Sequence, residues 1–139
     1  MTIVYRTATP PLDECLDVYR ACTLGARRPV NDRERMATMF AQANLVVGAW
    51  DGDHLVGLAR ALTDMAYCTY LSDLAVRESH QRQGIGRGLI AAVRAAAPQA
   101  TLILLSAPQA VDYYPHIGFT RHESAWTIRP DQPVHRETP

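Results

Sequence analysis

The segment Leu74-Ala75-Val76-Arg77-Glu78-Ser79-His80-Gln81-Arg82-Gln83-Gly84-Ile85-Gly86-Arg87-Gly88-Leu89-Ile90 constrains the fold more than any other. An apolar run ends at Val76, a polar turn follows, and glycines at alternate positions open a helical pattern carried by Ile85, Leu89, Ile90 and Val93. A chain of this pattern delivers a strand into the N-terminus of a helix. Glycines there let main-chain N–H groups approach a ligand with no Cβ in the way. The first turn of the helix adds unpaired N–H groups and the positive end of its dipole. Arg82 and Arg87 bring full charges to the same place. Gln81, Arg82, Gln83, Gly84, Ile85, Gly86, Arg87 and Gly88 are therefore candidates for holding the phosphate of a cofactor.

Other phosphate-binding patterns fit less well. A Rossmann fingerprint needs Gly-x-Gly-x-x-Gly with an acidic residue about twenty positions on, whereas Gly84, Gly86 and Gly88 are evenly spaced and no such acid follows. No Gly-Lys-Ser/Thr occurs, which excludes a P-loop.

The 139 residues suit a single domain over 1–139 that needs no metal or disulfide to fold. Fourteen basic residues balance fourteen acidic ones, so no global charge draws the chain to nucleic acid or to an anionic membrane. No apolar run approaches the ~20 residues of a membrane span, and the N-terminus has no secretory pattern. Cys15, Cys22 and Cys68 are odd in number and lack metal-ligand spacing, the pattern of reduced thiols in a cytoplasmic protein.

Along the chain, Ile3 to Tyr5 suits a first strand. Pro10 and Pro11 suit the start of a helix bearing Leu12, Cys15, Leu16 and Tyr19, with Gly25 as its stop. Asn31 with Glu34 three residues on suggests a capping box for a second helix carrying Met36, Met39 and Phe40. The basic loop 26–30 between them is expected to be solvated. Runs 45–50 and 55–61 around Asp51-Gly52-Asp53 form a hairpin. A strand from Tyr67 to Val76 leads into the glycine segment, and Pro98 ends the helix beyond it. The apolar run Thr101 to Leu105 is expected to be a central strand covered on both faces. A short helix near 109–114, a terminal strand from Gly118-Phe119 toward Ile128 and a loose tail over 129–139 complete the reading. The order β-α-α-β-β-β-α-β-α-β defines an α+β fold, antiparallel first and with a βαβ crossover later.

Gln81-x-x-Gly84-x-Gly86 after a strand ending Leu74-Ala75-Val76 resembles the acetyl-CoA-binding motif of the Gcn5-related N-acetyltransferases (GNATs). Tyr114-Pro115-His116-Ile117-Gly118-Phe119 is similar to that family's tyrosine and Gly-Phe element, and the likeness extends over about residues 2 to 128. The resemblance implies a mixed, twisted sheet of about six to seven strands with flanking helices. It implies acetyl-CoA as acyl donor, with no metal, and direct transfer of acetyl to a primary amine of a small molecule or protein. The cofactor would lie where the strand ending at Val76 parts from the strand around Leu104. Main-chain groups of Leu74, Ala75 and Val76 would serve the pantetheine arm and the oxyanion, and N–H groups from Arg82 to Gly88 the pyrophosphate. A homodimer, common in the family, is compatible with it.

Aminolysis of a thioester also needs a proton for the departing thiolate. Tyr114 suits that role, because a phenol of pKa about 10 stays protonated at neutral pH. Relatives that modify histones carry a glutamate base where this chain has Tyr70. Asp73 is near, but strand alternation puts it on the face opposite Tyr70, Ser72 and Leu74 unless a bulge turns it. A water chain, or an amine arriving partly neutral, is the expected alternative. Ala107 stands where many relatives carry an asparagine that contacts pantetheine. Both departures leave room for a different reading, a non-catalytic acyl-CoA-binding or assembly module. Arg60 and Asp64 could border the acceptor pocket or form an ion pair, and His54, His80 and His116 are expected in solvent.

Overall fold

A computed structural model of the chain describes residues 2–136. The chain divides into two compact units, Met1–Leu105 and Ser106–Pro139. In the first, strand β1 (Ile3–Thr7) is followed by helices α1 (Leu12–Arg20) and α2 (Arg33–Gln42). Strands β2 (Leu45–Asp51), β3 (His54–Thr63) and β4 (Cys68–Val76) then lead to helix α3 (Ile85–Ala96) and strand β5 (Thr101–Leu104). The sheet is ordered β1-β2-β3-β4-β5. Its first four strands are antiparallel, and β5 joins β4 in parallel after the α3 crossover.

Neighbouring residues of β3 separate the two layers. Leu58 lies in a core cluster with Cys15, Val18 and Tyr19 of α1 and Met36 and Phe40 of α2. Gly57 faces the other way, where Ile85 and Leu89 of α3 press so close that a Cβ would lie 3.1 Å from each. Burial of each such leucine or isoleucine contributes about 1.5–3 kcal/mol.

The helix ends differ from those the sequence suggests. Helix α1 stops at Ala21, while Gly25 sits in a 3₁₀ turn (Thr23–Arg27) over the Tyr19 carbonyl, where a Cβ would come within 2.6 Å. Helix α2 is capped by Asp32, which accepts from the Arg35 N–H at 3.1 Å, rather than by Asn31. Glu34 thereby falls one position short of a reciprocal capping box.

Strand β5 is not central. Among the described residues it pairs with β4 alone, and Ile103 is 48% exposed. Apolar residues at every position suggest cover on both faces, but pairing and layering are decided by what else is in the sheet.

In the second unit, a 3₁₀ turn (Pro108–Ala110) precedes the one-turn helix α4 (Tyr113–His116). The expected strand from Gly118 to Ile128 does not form, so among the described residues the sheet has five strands, fewer than expected. A strand requires a partner edge, and among its described residues this unit contains no strand to supply one; Trp126 stands 90% exposed. Of the expected tail, residues 129–136 hold one turn, closed by the Gln132 N–H on the Arg129 carbonyl. Residues 137–139 lie outside the described residues.

Candidate active site

Strand β4 has one neighbour too few where the glycine segment begins. Its pairing with β5 runs from Cys68↔Thr101 to Leu71↔Leu104 and stops, whereas its pairing with β3 continues to Val76↔Gly57. The Arg77 N–H bonds the Val56 carbonyl at 2.9 Å. By antiparallel alternation, Asp73 and Ala75 also point their main-chain groups at β3, and Leu74 and Val76 point theirs outward. Beyond Leu71 this edge has no neighbouring strand; Leu74 is left open there, while Val76 is met by the side chains of Gln81 and Cys22.

That edge leads into a run of free amides. The N–H groups of Arg82, Gln83, Gly84, Ile85, Gly86 and Arg87 have no acceptor among the described residues. Arg82 and Gly84 have φ of 63° and 80°, the left-handed region that turns successive N–H groups to one side. Glycine takes that conformation freely, and at Arg82 it is strained. The Arg87 guanidinium folds back over the loop, 3.9 Å from where a Gly84 Cβ would stand.

Two expected ligand residues have other partners. Gln81 donates its side-chain amide to the Val76 carbonyl at 2.9 Å, tying the loop to the strand end. The Gly88 N–H bonds the Gly84 carbonyl inside the helix, and the bare face of Gly88 receives the Tyr5 hydroxyl of β1. A Cβ at 88 would collide with that hydroxyl. Gly88→Ala is expected to displace Tyr5 and cost about 1–2 kcal/mol in urea unfolding. In a double-mutant cycle with Tyr5→Ala the two losses are expected to overlap rather than add.

Asp73 lies at a bulge. The β3–β4 register steps from Arg60↔Asp73 to Ala61↔Leu71, leaving Ser72 as an extra residue. The bulge puts Asp73 on the same face as Tyr70, the reverse of simple alternation, because Arg60 and Leu62, their partners, share a face of β3. The carboxylate is buried beneath α1. It accepts from the Tyr19 hydroxyl, Arg28 Nε and Arg60 Nε, each at 2.6 Å, and from the Ser72 hydroxyl at 3.2 Å. Burial pushes its pKa up, but the bonds from Arg60 and Tyr19 and the charges of Arg60 and Arg28 outweigh it, holding the carboxyl below its ordinary value. The Tyr19 phenol is pushed well above its ordinary range, by burial first and then by Asp73. Asp73 is therefore buried, fully engaged by donors and less basic than an ordinary aspartate.

Arg28 comes from the loop expected in solvent; it also donates to the Ser72 carbonyl at 2.8 Å. Arg60 pairs with Asp73 and not with Asp64, whose exposed carboxylate accepts the N–H groups of Ala66, Tyr67 and Cys68 and is lowered by them. His80 meets Asp51 at 3.3 Å rather than standing free. The sequence signal for this network is a lone aspartate in an apolar strand, since an inward carboxylate must find donors. Nothing local names them.

In the second unit, Gly118 with φ of 105° ends α4 and turns Phe119 back, so that its N–H bonds the Tyr114 carbonyl at 3.0 Å. The Phe119 and Tyr113 rings stand edge-on to Tyr114, at 5.4 and 5.3 Å. Burial, then the Tyr113 phenol, raise the Tyr114 pKa. Among the described residues no three His, Cys, Asp or Glu side chains are placed to hold a metal, and no helix is long and apolar enough to cross a membrane.

A profile of the acetyltransferase (GNAT) domain matches residues 23–127. The chain belongs to the GNAT family. The uncharacterised N-acetyltransferase ycf52 of Gracilaria tenuistipitata var. liui is 29% identical over 97 residues, which cover 67% of this chain and 53% of the relative. The chain thus matches about half the length of that curated relative. Among solved structures, a GNAT family acetyltransferase of Streptococcus pneumoniae TIGR4 has a TM-score of 0.72 at 24% identity, covering 92% of this chain and 99% of that one. An aminoglycoside N-acetyltransferase in complex with CoA has a TM-score of 0.72 at 17% identity, over 94% and 96% of the two chains. These likenesses establish the GNAT fold for this family member.

Proposed function

We propose that this chain transfers the acetyl group of acetyl-CoA to a primary amine. One observation carries the reading: the strand edge left open at Leu74 leads into six unpaired amides, from Arg82 to Arg87. A pantetheine arm is an amide chain that pairs with a strand edge, and a pyrophosphate takes convergent N–H groups and guanidinium charge, so the residues suit the two halves of coenzyme A. When bound, its thioester supplies the activated acetyl group. Leu74, whose main-chain groups face away from β3, holds the arm, while Ala75 is bonded to β3 and the Val76 carbonyl to Gln81; the outward Leu74 N–H is the candidate donor to a developing oxyanion. Arg82, Gln83, Gly84, Ile85, Gly86 and Arg87 hold the pyrophosphate, Gln81 fixes the loop, and Gly88 lets α3 pack on β1.

Tyr114 supplies the proton taken up by the thiolate. With Asp73 held by its arginines, the acceptor amine loses its proton to water. A cytoplasmic setting belongs to the same reading, since acetyl-CoA must be at hand.

Calorimetric titration of acetyl-CoA, with NAD as control, tests the site. Saturable heat with acetyl-CoA and none with NAD is expected, and no saturation with acetyl-CoA overturns the reading. Gly86→Glu is expected to raise the Kd at least about tenfold, because a carboxylate in the first turn of α3 suits the helix dipole but repels a pyrophosphate. Unchanged affinity would move the phosphate site elsewhere. Binding without transfer to any primary amine would favour the acyl-CoA-binding module.

A further inference from the structure

Helix α2 and strand β3 enclose an open groove of about 650 Å³, within the size range of small-molecule sites. Met39 and Leu62 give it apolar walls, Thr38 and Gln42 polar ones, and Arg60 enters from β3. Only 9% of the Arg60 side chain is exposed. Its Nε is bound to Asp73 and one Nη2 proton to Ser72 Oγ at 2.9 Å, while its contact with the Met39 carbonyl is long, at 3.4 Å. Tyr19 is a further hydrogen-bond partner, so of the five N–H groups of the guanidinium one is left over and the one on Met39 is weakly held.

Charge is unbalanced at the same point. Arg28 and Arg60 share a single carboxylate, Asp73, and neither has another ion-pair partner among the described residues. Tyr19, the remaining member, stays neutral. The cluster therefore carries one positive charge in excess, largely out of water, with Arg60 on the groove. Asp32, Glu34 and Arg35 also border the groove, but all three are exposed at the start of α2, where solvent screens them, and Asp32 already caps the helix. Buried charges require partners, and a guanidinium with excess charge and donors left at its Nη end fits a carboxylate.

The geometry points to a carboxylate subsite: the groove binds a primary amine that also carries a carboxylate, and Arg60 receives that carboxylate between the walls of Met39 and Leu62. Arg60 is joined through Ser72 and Asp73 to the bulge just before Leu74, so an acceptor anchored there lies beside the strand assigned to acetyl-CoA. That the occupant is the acetyl acceptor rests on the function proposed above; that it is a carboxylate does not.

Titration of the protein without acetyl-CoA separates the two. The probes are unbranched ω-amino acids from glycine to ε-aminocaproate and the alkylamines of matching length. At least one amino acid is expected to bind about tenfold or more tighter than its matched amine. Gln42→Glu places a carboxylate on the groove wall at an exposed helix position and is expected to abolish that preference with the fold intact. Arg60→Lys keeps the charge but loses the fork, and is expected to weaken it. Equal affinities, no binding by any probe, a preference for the plain amines, or a preference untouched by Gln42→Glu each overturn the subsite. Carboxylate preference in a protein that fails to bind acetyl-CoA would leave the subsite standing and remove the transferase reading.

Discussion

Asp73→Asn is expected to lower the unfolding free energy by about 3–5 kcal/mol, a large share of the 5–15 kcal/mol typical of a small domain. The substitution is nearly isosteric, so no cavity forms. It leaves the Arg28 and Arg60 guanidiniums without the carboxylate that both share, and it weakens the acceptor for the Tyr19 hydroxyl. Loss of one partner of a buried ion pair costs more than the pair itself contributes, because the remaining charge stays desolvated. Urea unfolding of both proteins at neutral pH measures the difference.

The acid limb of the stability curve carries the same residue. Asp73 titrates lower in the folded protein than in the unfolded chain, where an aspartate has a pKa of about 3.9. Its contribution is therefore complete above that value and is lost as pH falls through the folded-state pKa. Asp73→Asn is expected to remove this loss, so that wild type and variant converge in stability as the pH drops below about 4. Parallel curves throughout would show that the carboxylate does not act through its charge.

Tyr114→Phe is the second large effect, on activity rather than stability. If the phenol delivers the proton to the leaving thiolate, its loss is expected to lower kcat by about a hundredfold or more while the KM of the amine changes little. The Phe119 and Tyr113 rings beside Tyr114 accept a phenyl as readily as a phenol, so the fold should hold. Because partial burial raises the phenol pKa, wild-type activity should persist past pH ~10 and fall only as the phenol ionises. The variant should lack that basic limb. Equal kcat and an unchanged profile would assign proton delivery to water.

The strand into α3, the 45–61 hairpin and the order of elements up to the missing last strand were legible because each is encoded within a few residues: apolar period, turn glycines and a helix start. The same locality points to the start of α3 for the proposed anion site, but it did not show what Gly88 packs against. Its alternate spacing with Gly84 and Gly86 suggests one ligand loop, yet its amide lies one turn into the helix and its missing Cβ answers to Tyr5, 83 residues earlier in the sequence. The helix starts shifted by a single residue at Asp32, since two adjacent residues of equal capping ability are separated only by backbone conformation.

Local chemistry thus determined the elements and their order up to α4, with a strand-to-helix turn of free amides before α3. Tertiary structure alone decided that β5 ends at Leu104 and frees the edge of β4, that Ser72 bulges and turns Asp73 beneath α1, and that this carboxylate gathers Tyr19, Arg28 and Arg60 from 54, 45 and 13 residues away. The physical reason is the range of the forces concerned. Helix starts and turns are set by steric and hydrogen-bond preferences between near neighbours, whereas a buried charge is stable only where the whole fold brings donors to it.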